Sequence, residues 1–100
     1  MADGLTGKQR RHLRALGHHL DPVVQVGYEG VSEAVVQEAD RQLESHELIK
    51  VKIGESSPQD RHEAAALLAE RTGAQVAQVL GRTALLYRPR KENPAIVLPG

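Results

Sequence analysis

The chain has 100 residues, 40% of them hydrophobic, no cysteine and a formal net charge of +0. That length supports one domain with one core, and the missing cysteine excludes disulfides and thiolate metal sites. With no Trp, no Phe and only Tyr28 and Tyr87, the core has to be aliphatic.

The zero sum conceals a segregation of sign. Over residues 1–20, Lys8, Arg10, Arg11 and Arg14 stand against Asp3 alone, a net +3; residues 21–72 carry −6 and residues 73–100 carry +3. Such a chain can present a positive face although its total is neutral. No apolar run reaches the ~20 residues of a membrane span, and the N-terminus lacks a signal-peptide core. The expectation is a soluble, cytoplasmic domain without membrane contact.

Residues 1–4 read as a loose end, and so does the stretch from about 92, with Pro94 and Pro99. A single domain over 5–98 remains, with 99–100 trailing. Thr6 and Gln9 have the capping-box spacing that starts a first helix. Leu13, Leu16 and Leu20 share one face of it, Lys8, Arg10, Arg11 and Arg14 fan over the other arc, and Gly17 ends its regular part. "PVVQV" then reads as a short strand, with Pro22 where a missing donor is tolerated. Gly27 and Gly30 follow, in "GYEG". Ser32 is a good N-cap for a second helix, with Val31 and Val36 at staple positions. Val35, Val36, Ala39 and Leu43 form its buried stripe, while Glu33, Glu38, Asp40 and Glu44 face water.

"LIKVKI" alternates as a strand, with Ile49, Val51 and Ile53 on one side and Leu48, Lys50 and Lys52 on the other. "SSPQD" predicts a third helix capped by Ser57, with Pro58 at its first position and Asp60 in its first turn. Ala65, Leu68 and Ala69 pack inward, and Thr72-Gly73 closes it. "QVAQVL" and "TALLYR" flank Gly81-Arg82, a connection suited to a tight type II′ hairpin. The order is αβαβαββ, a small α/β (α+β) fold of sheet and helices. Two strand–helix–strand units predict parallel pairs with right-handed crossovers, and the last strand turns back antiparallel.

Direction decides which residues can cooperate. The Gly27–Gly30 loop and Gly81-Arg82 both lie at the C-terminal end of the first strand. A first helix antiparallel to that strand would bring Lys8 and Arg11 there too. Arg88, Arg90 and Lys91 fall at the opposite pole, as a second contact or a solvated end. The group at the loop end suits a phosphodiester backbone. Helix N-termini attract phosphate, and glycine removes the Cβ that would hold a backbone away. A G-x-x-G loop clamps nucleic acid in KH domains; Tyr28 at the tip could stack on a base, although Glu29 beside it repels phosphate. An ordinary strand-to-helix turn explains the same tetrapeptide. Lys50 and Lys52 either touch RNA or solvate an open face.

The ordered segments say more than any one of them. "LTGKQRRHLRALGHHLDPVVQVGYEGVSEAVVQEADRQLESHELIKVKI" followed by "ERTGAQVAQVLGRTALLYRP" resembles the YhbY family, the bacterial single-domain form of the CRM RNA-binding domain. The resemblance rests on "LTGKQR", the G-x-x-G loop, "HELIKVKI", "TGA" and "VLGRTALLYRP". It implies a two-layer fold similar to the C-terminal domain of translation initiation factor three, with a mixed four-stranded sheet in the order 1-2-4-3. It implies RNA binding without catalysis, to ribosomal RNA in precursors of the large ribosomal subunit. By position, the family's loop glycines fall on Gly27 and Gly30, and its basic residues on Lys8, Arg10, Lys50, Lys52, Arg82 and Arg88. A lone copy looks like the bacterial ribosome-assembly type, and a monomer is expected.

Other chemistry finds little support. His12, His18, His19, His46 and His62 include no i, i+4 pair, so no metal is expected. His18 and His19, after the first helix, could help hold phosphate when protonated. Ser56 and Ser57 read as helix-start residues, and no nucleophile elbow, Walker sequence or dinucleotide fingerprint occurs. No cofactor and no enzymatic activity are expected. The alternative to RNA is a protein-interaction adaptor that uses the acidic second helix.

Overall fold

Local signals set most of the element boundaries. In this computed structural model, which describes residues 4–100, the chain forms α1 (Gly7–Gly17), β1 (Pro22–Val26), α2 (Glu33–His46), β2 (Leu48–Ile53), α3 (Arg61–Thr72), β3 (Gln75–Leu80) and β4 (Thr83–Tyr87). The looseness expected of residues 1–3 falls outside the described residues. Thr6 caps α1 reciprocally, its Oγ1 accepting from Gln9 N–H while Gln9 Oε1 accepts from Thr6 N–H, both at 3.1 Å. Ser32 caps α2 by accepting from Val35 N–H. Gly73 closes α3 in the left-handed conformation, and Gly81 at φ +58 makes the β3–β4 turn.

The start of α3 differs from expectation. Asp60, not Ser57, is the N-cap, because Asp60 and Glu63 form a reciprocal capping box at the two backbone N–H groups. Ser57 instead donates to Gln59 O and so shapes the loop before the helix.

The sheet order is β1-β2-β4-β3. β1 and β2 pair in parallel, and β4 runs antiparallel to both β2 and β3. The second parallel pair expected from the strand–helix–strand rule does not form, because β4 inserts between β2 and β3. The order is the one the family resemblance implies.

Alternation divides the sheet into two faces. Ile49, Val51 and Ile53 join Val24, Val26 and Leu86 in a core with the inner residues of α2 and α3, among them Leu43 and Leu68. Leu48, Leu85 and Tyr87 point the other way and meet Leu13 of α1. The apolar stripe of α1 is narrower than expected: Leu13 and Gly17 are buried, but Leu16 is 44% exposed and Leu20 also reaches solvent. The cause is the close approach at Gly17, where a Cβ would lie 2.8 Å from Leu85 Cδ1. Gly17 does more than end the helix; it lets α1 lie on the sheet.

The C-terminal tail, expected loose from about 92, is docked. Glu47, at the C-terminus of α2, is 1% exposed, and its carboxylate accepts from the backbone N–H groups of Arg90, Ala95 and Ile96 at 2.9 to 3.0 Å. Farther on, Pro99 O accepts from Gln9 Nε2 at 3.1 Å. Glu47 sits at φ +67, a conformation that costs a non-glycine residue about 1–3 kcal/mol, so the carboxylate contacts hold strained backbone in place. Burial pushes its carboxyl up, but the three N–H donors and the nearby Arg90 outweigh burial and leave it below the ordinary 4.5.

A carboxyl depressed on folding stabilises fully above its unfolded value and loses that contribution as pH falls through its lower folded value. Replacing Glu47 by Gln should cost about 1–3 kcal/mol near neutral pH, since buried donors lose a charged acceptor. In urea titrations, the gap between variant and wild type should narrow below about pH 4; a gap independent of pH would show that the ionised carboxylate is not what holds the tail.

Candidate nucleic-acid interface

Three loops meet where β1 and β2 finish. Ile53 N–H donates to Arg82 O at 2.7 Å, and Gly54 N–H donates to Val26 O at 2.8 Å. The loop after β1, the loop over 54–60 and the hairpin tip at Gly81-Arg82 therefore share one rim. Gly30 N–H donates to Gly27 O at 2.9 Å, closing a four-residue turn. Tyr28 and Glu29 form its tip, and Tyr28 is 76% exposed.

The two loop glycines differ in kind. Gly30 is required by the fold: its φ is +73, and a Cβ there would lie 2.5 Å from Gln59 Oε1 and 3.0 Å from Pro58 Cγ. Gln59 Oε1 uses that space to accept from Val31 N–H at 3.3 Å. Gly27 lies outside the left-handed region, and a Cβ built on it meets nothing within 4 Å. Nothing inside the protein requires glycine at 27.

The cations separate into those tied down and those left available. Arg88 belongs to the first group, which departs from its expected place among RNA contacts. Its guanidinium, 16% exposed, ion-pairs with Asp40 at 2.6 Å and Glu44 at 3.3 Å and donates to Thr72 O. Arg88 thus joins the end of β4 to α2 and α3. Arg90 donates to the backbone oxygens of Ser45 and Asn93. Arg71 pairs with Glu33. Arg41 pairs with Glu38, whose carboxyl is held below its ordinary value by that hydrogen bond first and then by Gln42.

Among the described residues, Lys8, Arg10, Arg11, Arg14, Lys50, Lys52 and Arg82 have no carboxylate partner. Arg82 stands exposed at the hairpin tip, on the rim. Lys52 is exposed and in register with Gln25 and Thr83, one residue before the end of β2. Lys50 is half-buried two residues earlier on the same face.

The α1 cations are placed differently from the topological expectation. Gln9 is bound to Pro99, and Leu5 packs in the cluster of Leu48 and Tyr87, which are paired at the end of the sheet away from the glycine loop. These contacts set the first turn of α1 beside the tail, not beside Gly27, so Lys8 and Arg11 are not grouped with the loop. Gln9 and Leu16 occupy the flank that meets the tail; Leu16 shares a cavity with Ile96. At 100° per residue, Arg10 and Arg14 then fall on the opposite flank. Both are exposed.

Two residues that matter here carry weak signals in the sequence. Gln59 acts through a loop contact with no local pattern. Glu47 does leave a trace: an acid at a helix C-terminus opposes the dipole, which points to a tertiary partner. Among the described residues, no three His, Asp or Glu side chains are placed to hold a metal ion. No helix among them is long and apolar enough to cross a membrane.

Fold and rim together describe a small α/β domain with a glycine turn and available cations at one end of its sheet. The family model for the CRS1 / YhbY (CRM) domain matches residues 5–88, and the chain belongs to that family. It is 41% identical over 95 residues to "Probable RNA-binding protein YqeI" of Bacillus subtilis, covering 95% of this chain and 99% of the relative. It is 49% identical over 89 residues to "Probable RNA-binding protein MJ0652" of Methanocaldococcus jannaschii, covering 87% of this chain and 66% of that longer relative. The solution structure of the hypothetical protein SAV1595 from Staphylococcus aureus superposes with a TM-score of 0.81 at 43% identity, over 95% of this chain and 99% of the other.

The glycine asymmetry has a direct test. Gly30→Ala should destabilise by more than about 1 kcal/mol, since it forces a side chain into a left-handed site against Gln59. Gly27→Ala should leave the melting temperature unchanged or slightly raised. Equal losses in thermal melts would mean that Gly27 is also a structural glycine.

Proposed function

We propose that this chain is an RNA-binding module that grips the ribose-phosphate backbone at the Gly27–Gly30 turn and performs no chemistry on it. The observation that carries this reading is Gly27, a glycine that the fold does not need, beside an exposed Tyr28 and on one rim with Arg82. A missing Cβ at such a place lets a ligand backbone approach the main chain. Arg82 and Lys52 supply charge without carboxylates to neutralise them, and Tyr28 offers a ring for a base. The names of the YqeI and MJ0652 relatives point to the same ligand.

The resemblance to the YhbY family extends the proposal to ribosomal RNA in precursors of the large ribosomal subunit, bound by a monomer in the cytoplasm. Arg10 and Arg14, on the flank of α1 away from the tail, would extend the contact, with Lys8 and Arg11 as peripheral charges. The adaptor reading is less favoured, because Glu33, Glu38, Asp40 and Glu44 are each engaged in an intramolecular ion pair. The acidic face of α2 is therefore already partly neutralised within the chain.

Filter binding to large-subunit ribosomal RNA fragments should show log affinity falling linearly with log salt, by about 0.7–0.9 per phosphate neutralised. Tyr28→Ala should weaken binding by about 1–3 kcal/mol if a base stacks there. Gly27→Val should weaken it without lowering the melting temperature. Retention that is indifferent to salt and to both substitutions would sink the proposal. Crosslinking in cells, with sequencing of the attached RNA, should enrich large-subunit precursor sequences; reads spread over messenger RNA would remove the ribosomal part alone.

A further inference from the structure

The sheet face on the α1 side is only partly covered, and its open half adjoins the glycine rim. Register aligns Gln25, Lys52, Thr83 and Leu80 in one row across all four strands. The next row holds Pro22, Lys50, Leu85 and Gln78. A shallow cavity of about 210 Å³ joins the rows between Leu20, Lys50, Gln78, Leu80 and Thr83. Neither row contains a carboxylate. Leu80 is 70% exposed and Val23, on β1, is 42% exposed. Among the described residues, the side-chain amides of Gln25 and Gln78 have no intramolecular partner.

We infer that this open half-face binds the bases of an unpaired RNA segment whose backbone is held at the glycine rim. The inference rests on the RNA-binding reading above and adds the class of RNA and the residues that meet its bases. The combination of groups decides the class. Lysines alone would serve a duplex as well as a single strand, since both present phosphates. Exposed Leu80 and Val23 gain nothing from phosphate, but they can cover the apolar face of a base. A free amide offers both a donor and an acceptor, which matches the edge of an unpaired base. An A-form duplex turns those edges inward and shows a flat surface mainly phosphate and 2′-hydroxyl. The half-face is thus built for splayed bases, with Lys50 and Lys52 taking the adjoining phosphates.

The test compares a short mixed-sequence RNA strand without self-complementarity with the same strand annealed to its complement. Wild type should bind the single strand at least about tenfold tighter. Gln25→Ala, Gln78→Ala and Leu80→Ser should each weaken single-strand binding about three- to tenfold, the scale of one lost hydrogen bond or apolar contact, and leave the salt slope unchanged. Lys52→Gln should lower that slope by about 0.7. Unaltered melting temperatures would show that the variants fold. If wild type binds the duplex equally well, or if the glutamine and leucine variants bind the single strand like wild type, the half-face is not a base-binding surface and RNA binding at the rim still stands. If wild type retains neither probe at about 50 mM salt, the RNA-binding reading fails and this inference goes with it.

Discussion

The side-chain oxygen of Gln59 accepts the Val31 N–H at 3.3 Å, and it can do so only because Gly30 lacks a Cβ and turns at φ +73. This close approach fastens the loop after β1 to the loop before α3. Gly54 N–H to Val26 O and Ile53 N–H to Arg82 O fasten the same rim from the sheet side. With its C-terminal half held this way, the turn has its other half free to project. Tyr28 and Glu29 project into solvent while Gly30 is buried. The position of Ser32 as cap follows too, since Ser32 N–H donates to Gly30 O as the chain enters α2. A turn anchored in this way has less to lose to entropy on meeting a ligand than one that must order itself on contact.

Charge is arranged on the same division. A sum of +0 suggests a protein indifferent to polyanions, but net charge weighs every side chain equally. In the folded chain the acids of α2 are spent on Arg41, Arg71 and Arg88, and Glu47 is spent on the tail. The exposed pairs of Arg41 and Arg71 add little stability each. They do remove negative charge from the field that an approaching strand meets. Most of the cations left over, on α1, on the β2 face and at the hairpin tip, lie outside the α2–α3 layer; Arg61, at the start of α3, shares a cavity with Arg82. A neutral composition is thereby compatible with a positive face.

Much of this was legible in the sequence because it depends on neighbours in the chain. Thr6 with Gln9, Ser32 before α2, the alternation of "LIKVKI" and Gly73 after α3 each act within a few residues, and each appears where the pattern put it. The misplaced features are those decided by distant partners. The cap of α3 is a local exception, where Asp60 and Glu63 close their own box a few residues past Ser57. Gly17 ends α1 where the pattern put it, but its second role, the close approach to Leu85 on β4, has no local signal. Arg88 looked like an available cation, but Asp40 and Glu44, more than forty positions away, claim it. The loop was legible as glycines and not as function, because the tetrapeptide alone cannot say which glycine the fold requires.

The two ends of the sheet have been shaped by opposite demands. At the end where β4 finishes, polar groups are saturated: Arg88 binds two carboxylates and two carbonyls, and Glu47 binds three N–H groups while buried. The strained φ of Glu47 is tolerated there because so many contacts fix it. At the glycine end, groups that could pair inside the protein do not: Arg82 and Lys52 lack carboxylates, and Tyr28 lacks a packing surface. Leaving them unsatisfied costs little while water solvates them, and a ligand can replace that water. The tail belongs to the first end, and through Gln9 it also fixes α1. Stability gathered at one end thus holds the helix that carries Arg10 and Arg14, while at the other end Arg82 and Lys52 stay without carboxylates.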